Sequence, residues 1–436
     1  MLIVLLATAC VESAPQAAPE LGPAQDVQAL LDTRADALAA GDLEGFLAAL
    51  DPPARAVEGP LADQAQAVPL AELRLRLREA TFDRRDVDGA PVLVADNAKV
   101  DVVFRYEGLA EDNPFSFRLR SDFEQRDGAW RVADSQIVVP DTETPVPMPP
   151  MWASGPVAVA RSEHFLALHR PGLAEPGRVL DLAEQARAQL VPQLTLEPAP
   201  THVVQIAADD AEFAEIRNPA GPPRAIAVAS YHYPEPDYAR SRVPQSRHVS
   251  VNLAAVLAEQ LPPEERADPG HDMADAPPDG GHEFEPDVTP VQVFQHELAH
   301  LALSRFTRPS TPVWVAEGGA MALAGEQRTG VWRRGLEADA FDDMTFLRLS
   351  RRDPGMGLTS AEYAYVNAAV SWLVDEFGVE RFWAFYRDFK EFTQGSAGNP
   401  LEQVHADATH RLLFRLYDMG EEQLDERARQ WMRAAV

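Results

Sequence analysis

The chain has 436 residues, 46% of them hydrophobic and 25% charged, which are ordinary values for a folded globular protein. That length exceeds a single ordinary core, so two or three domains are expected. With 39 Lys and Arg against 68 Asp and Glu, the formal charge is −29, which excludes the broad basic field that nucleic acid or an anionic membrane surface would need.

The one cysteine, Cys10, rules out an intrachain disulfide. Met1 to Leu6 is a short apolar run, followed by Ala7-Thr8-Ala9-Cys10. Such a run, ending in small residues, predicts a secretory signal over 1–10 rather than a membrane span. The ending resembles the lipobox of bacterial lipoproteins. That resemblance implies acylation of Cys10 and anchoring in the cell envelope, outside the cytoplasm. No Lys or Arg precedes the apolar run and Ala7 stands where leucine is usual, so a plain signal peptide with an incidental cysteine is the alternative. Residues 11–24 are rich in Pro and Ala without periodicity and predict a disordered tether.

From 25 to 139 the pattern predicts a small α+β domain. Val27, Leu30, Leu31, Leu38, Phe46, Leu47 and Leu50 recur at helical spacing, with Gly41-Asp42 as a stop and restart. Strands follow at Val92–Val94, Val100–Tyr106, Phe115–Phe123 and Trp130–Val138, with Arg126-Asp127-Gly128 as a hairpin turn. A helical hairpin before a curled sheet ending in Asp127-Gly128-Ala129-Trp130-Arg131-Val132 resembles the cystatin-like cone of nuclear-transport-factor-type (SnoaL-like) domains. The resemblance implies a ligand- or partner-binding cone, or a simple spacer for the next domain. The proline-rich stretch 140–154 predicts a stiff linker.

The last part, 155–436, opens with strands at Val157–Val159, His164–Leu168, His202–Ile206, Ile226–Ala229 and His248–Leu253, and an amphipathic helix at Val179–Val191. An acidic, Pro- and Gly-rich insertion covers 262–287. From Thr289 the chain is expected to be nearly all helical. The fold class is therefore multidomain α+β, with a small sheet ahead of a mainly helical half.

In that half lies His296-Glu297-Leu298-Ala299-His300. Thr289-Pro290 is a good N-cap and first-turn pair. Histidines four apart lie about 40° apart on one helical face, so both imidazoles can reach one Zn2+. Glu297, one position round, stands where a base can take a proton from water beside the metal. A third ligand is needed, and Glu317 is the best candidate. Thr311-Pro312 starts a second helix, and the 17 positions from His300 allow a short loop and an antiparallel return. Gly318-Gly319-Ala320 lets that helix pack closely.

His296-Glu297-Leu298-Ala299-His300 followed by Pro312-Val313-Trp314-Val315-Ala316-Glu317-Gly318 resembles the peptidase MA-like gluzincins. The likeness runs on through Tyr363-Ala364-Tyr365-Val366-Asn367-Ala368. It implies one Zn2+ held by His296, His300 and Glu317, with Glu297 as general base and a peptide or protein as substrate. It also implies a tyrosine that donates to the oxyanion: Tyr365 matches that position best, with Tyr363 as the alternative. By analogy an extended substrate adds to an edge of the upstream sheet, near His248–Leu253. Two departures stand out. No Gly-x-Met-Glu-Asn segment precedes the metal helix, which argues for an endopeptidase over an aminopeptidase. Met321 stands where thermolysin-type enzymes carry an acid that orients a ligand histidine, so that orientation must come from elsewhere. A zinc-binding scaffold lipoprotein with weak or no turnover, and a non-peptidase zinc hydrolase, are the competing readings.

Overall fold

A computed structural model describes residues 22–436 except 88–89, 141–145, 195–198, 218–225, 233–243, 260–287, 309, 352–357 and 393–400. The expected signal, with Cys10, most of the tether and the insertion at 262–287 lie outside the described residues. The chain is α+β, with two antiparallel or mixed sheets followed by a helical half. Among the described residues no helix is long and apolar enough to cross a membrane.

Helix α1 (Pro23–Ala39) begins with proline in its first turn, inside the stretch expected as tether, and buries Val27, Leu31, Ala35 and Leu38 on one stripe. It stops before Gly41, whose φ of 77° favours glycine. Asp42 then caps α2 (Leu43–Leu47), its carboxylate accepting the Gly45 N–H at 2.8 Å. Helix α3 (Pro52–Ala67), led by two prolines, was not anticipated from the sequence. Five strands follow: β1 (Leu70–Glu79), β2 (Asp83–Val87), β3 (Ala90–Tyr106), β4 (Phe115–Arg126) and β5 (Ala129–Val138). They form an antiparallel sheet in the order β1-β3-β4-β5, with β2 on the first half of β3. Asp127 and Gly128, at φ 54° and 78°, make the expected two-residue turn. A bulge between Ala95 and Ala98, with Asn97 at φ 55°, bends β3 so that the sheet curls over the helices.

The second sheet runs β6-β7-β8-β10-β9: β6 (Ala158–Arg161), β7 (Phe165–His169), β8 (His202–Ala207), β9 (Ala227–His232) and β10 (Gln245–Asn252). The middle strands are parallel and both outer pairs antiparallel. Strand β10 is therefore interior, and β9 is an edge. This corrects the expectation that His248–Leu253 offers the free edge. Helices α4 (Pro176–Leu190), α5 (Asp210–Ile216) and α6 (Leu253–Glu259) pack around it. The helical half holds α7 (Pro290–Leu303), α8 (Val313–Ala324), α9 (Thr329–Glu337), α10 (Phe346–Ser350), α11 (Ser360–Phe377), α12 (Val379–Asp388), α13 (Leu401–Tyr417) and α14 (Glu421–Ala435).

The stretch 140–154, expected as a stiff linker, ends in a plug. Met151 and Trp152 are each 1% exposed, in one apolar cluster with the first sheet and with Leu166, Leu168 and Val203 of the second. The Trp152 ring packs edge-on against Phe104 and Phe117, and its Nε1–H donates to the Tyr106 hydroxyl at 3.1 Å. Polar contacts extend the seam: Ser246 N–H donates to the Pro114 carbonyl at 2.9 Å, and Met151 N–H to Gln205 Oε1 at 2.8 Å.

Candidate metal centre

Helix α7 starts with a reciprocal cap: Gln292 N–H donates to Thr289 Oγ1 at 3.3 Å, and Thr289 N–H donates to Gln292 Oε1 at 3.0 Å. Phe294, Leu298, Ala299 and Leu301 anchor it in the core, which leaves one narrow face for His296 and His300. Helix α8 returns alongside. Two glycines let it pack closely against α11 and α12 on its other sides: a Cβ on Gly318 would lie 2.5 Å from Val370 Cγ2, and one on Gly319 would lie 2.8 Å from Tyr386 Cε2. Glu317 faces the two histidines of α7.

The Nε2 atoms of His296 and His300 are 3.0 Å apart, and Glu317 Oε2 lies 3.1 and 3.3 Å from them. Among the described residues this is the group of ligating side chains that could hold a metal ion, with ligand atoms within 4.8 Å of one another. Two imidazole nitrogens and a carboxylate oxygen form a donor set suited to zinc. Burial alone would lower the His296 pKa, but the Glu326 and Glu317 carboxylates outweigh it and hold the ring well above its usual value. Burial would likewise raise the Glu317 pKa, yet His300 and His296 keep it well below the carboxylate range. The pocket thus calls for positive charge at the point where the three ligands converge, and a metal cation fits it.

Glu326, which the sequence reading missed, orients His296. Its Oε1 accepts from His296 Nδ1 at 2.6 Å, which leaves Nε2 free to ligate. Its Oε2 accepts Arg328 Nε–H at 3.1 Å and Nη2–H at 2.8 Å, and its carbonyl accepts Asn367 Nδ2–H at 3.0 Å. Burial raises the Glu326 pKa, but His296 and Arg328 together bring it down to about 2. Gly325, at φ 63°, ends α8 and turns the chain so that Glu326 reaches the histidine. The available signal was an acid just past a helix-ending glycine, followed by an arginine two residues on.

Glu297 is 6% exposed, and its Oε2 accepts the Ala229 N–H of β9 at 2.5 Å. Burial raises its pKa against the pull of His296 and His300. The sheet edge therefore lies directly beside this carboxylate.

The two tyrosines separate. Tyr365 is turned away from the metal ligands: its hydroxyl donates to Asp425 Oδ1 at 2.9 Å, and its ring stacks on Phe346. The expectation that Tyr365 serves the site is corrected on that ground. Tyr363 is the one at the site. Burial raises its pKa well above the usual value, helped by the nearby Glu317 and Glu297 carboxylates, and its hydroxyl bonds to Glu317. The Arg328 guanidinium lies 5.2 Å from its ring centroid. A second phenol was not foreseen: Tyr231 of β9, whose pKa burial and the Glu317 charge push up to about 12.

No family model matches the chain, and no curated protein matches it. Among solved structures, it is similar to an M1 zinc metallopeptidase from Deinococcus radiodurans at 10% identity and a TM-score of 0.28, over 83% of this chain and 63% of that one. A variant of the Deinococcus enzyme bound to a Tyr-Ser-Ala substrate aligns at 11% identity and a TM-score of 0.27, over 83% of this chain and 85% of that one. A candidate polyketide cyclase from Xanthomonas campestris pv. campestris aligns at 20% identity and a TM-score of 0.16, over 26% of this chain and 90% of that one. At such scores the functional reading rests on the site's own residues.

Proposed function

We propose that the chain is a zinc-dependent peptidase that hydrolyses peptide bonds within extended substrates. The observation that carries this reading is the placing of Glu297 between the converging His296, His300 and Glu317 on one side and the Ala229 N–H of an edge strand on the other. His296, His300 and Glu317 would hold the ion. When bound, zinc supplies a Lewis acid that polarises a carbonyl and brings the pKa of water to about 7.

The chain's own groups supply the rest. Glu297 accepts the proton from water and passes it to the departing amine. The unpaired side of β9 receives the substrate backbone as an added strand, which brings a peptide carbonyl alongside Glu297. Tyr363 donates a hydrogen bond from its hydroxyl to the developing oxyanion, which suits a phenol that stays protonated far above neutral pH. The lack of a Gly-x-Met-Glu-Asn segment supports cleavage within a chain over cleavage at its amino end. Action outside the cytoplasm, from a lipid anchor at Cys10, completes the proposal.

The test is zinc content and caseinolysis of the wild type beside Glu297→Gln. Stoichiometric zinc in both, with activity lost only in the variant, supports the peptidase. Zinc in both with activity in neither, over a broad peptide library, favours a zinc-binding scaffold. No zinc in either overturns the assignment.

A further inference from the structure

Behind α7, residues from both halves of the chain line a partly open cavity. Leu298 and Leu301 of α7, and Arg305 just beyond its end, line it. At about 100° per residue Leu298 and Leu301 lie roughly 150° round the helix from the midpoint of His296 and His300, so the cavity is separate from the metal centre. Leu190 and Leu194 complete an apolar wall, and Arg187 and Arg247 join Arg305.

Three guanidinium groups, always charged at neutral pH, thus share one cavity in a chain of net charge −29. Among the described residues one carboxylate pairs with them: Asp112, 2.8 Å from Arg247 Nη2 and itself 46% exposed. Arg247 is 7% exposed, and its Nε–H, like that of Arg187, is buried without a hydrogen-bond partner among the described residues. Uncompensated buried donors and like charges cost stability, and an anion in the cavity offsets both. His202, also in the wall, feels the same field: burial, then Arg187 and Arg247, pull its pKa down to about 4. Arg247 is held in place across the seam, its backbone N–H donating to Asn113 Oδ1 at 2.9 Å while Asn113 Nδ2–H donates to its carbonyl at 3.3 Å.

We propose that this cavity binds an organic oxyanion, a carboxylate or phosphate monoester with a short apolar body, its charged group clamped by Arg187, Arg247 and Arg305. Planar guanidinium groups match both kinds of oxyanion in a two-point manner. The leucine wall takes the apolar body, and inorganic ions lack that part. The proposal is independent of the peptidase reading.

The experiment is calorimetric titration of the full chain, in low-salt buffer free of phosphate, with octanoate, octyl phosphate and inorganic phosphate. One-to-one binding of octanoate or octyl phosphate, at least about tenfold tighter than inorganic phosphate, is expected, and the tighter of the two identifies the headgroup. Arg187→Gln and Arg305→Gln should each weaken that binding by about tenfold or more. Without ligand, Arg305→Gln should melt no lower than the wild type, since it removes one of three like charges around the cavity. Inorganic phosphate binding as tightly as octyl phosphate would reduce the cavity to an adventitious ion site only. No binding of either amphiphile, or binding unchanged in both variants, also overturns the proposal. The comparison of octyl with inorganic phosphate uses the wild type alone, so it stands even if a variant fails to fold.

Discussion

Glu326 Oε1 lies 2.6 Å from His296 Nδ1, and that contact selects which imidazole nitrogen is left for a metal. The acid stands beyond the helix end, nine residues after Glu317, yet it performs the orienting task for which position 321, occupied by Met321, was first considered. Glu326→Gln is therefore expected to lower zinc affinity by about 10- to 100-fold. Chelator competition measures the loss, and excess zinc should restore much of the activity. Unchanged affinity would remove the orienting role. Arg328 loses its carboxylate partner in the same variant, so some loss of stability should accompany the effect.

The tyrosines make a paired test. Tyr363→Phe should lower kcat by about 100- to 1,000-fold with zinc content intact, because it deletes a donor used only as charge develops. Tyr365→Phe should leave kcat unchanged and lower stability by about 1–3 kcal/mol, because it strips Asp425 of a buried donor. The opposite pattern returns the catalytic role to Tyr365.

What could be read from the sequence follows from locality. His296 and His300 share one helix at a spacing that fixes their geometry, and Glu317 lies one short return away, so all three could be named in advance. Tyr365 ranks ahead of Tyr363 on resemblance alone, with no local signal to decide between them. Residues two apart point about 160° away from each other, so the choice depends on how α11 is rotated. That helix is buried nearly all round, from Glu362 to Val370, and shows no polar face to set its phase. Glu326 was hidden because its reach depends on the turn at Gly325 and on Arg328 and Asn367, which come together only in the fold. The edge strand was misplaced for a related reason: strand order in a mixed sheet is a tertiary property, and β10 follows β9 in sequence yet lies inside it. Strand β1 is a different case, since its Leu73, Leu75 and Leu77 alternate with charged residues and carried a legible signal.

Trp152 tests whether the two sheets fold as one unit. It is 1% exposed, meets Phe104 and Phe117, and donates to Tyr106. Trp152→Ala should cost about 3–5 kcal/mol and split a single urea-unfolding transition into two, as the seam loses its plug. A single transition at the wild-type midpoint would show that the seam holds without it. Trp152→Phe should recover most of the packing but not the hydrogen bond.

Asp425 gives stability a pH dependence of defined sign. Burial raises its pKa to about 6, against the Phe346 N–H and Tyr365 hydroxyl that favour the charged form. In the unfolded chain the value returns to about 3.9. Between those values the folded state holds a proton that the unfolded state has released, so stability falls as pH rises. The contribution is fully present below about pH 3.9 and is lost as pH passes through 6. A gap of about two units corresponds to roughly 3 kcal/mol at most. Asparagine keeps an oxygen acceptor for both donors and never ionises. Asp425→Asn should therefore exceed the wild type in stability at pH 7.5, and the difference should shrink at pH 5, where the wild-type carboxyl is mostly protonated in the folded protein. Urea unfolding of both proteins at the two pH values makes the comparison. An equal difference at both would mean that Asp425 is ionised in the folded state throughout, paired with Arg429 more strongly than its burial allows.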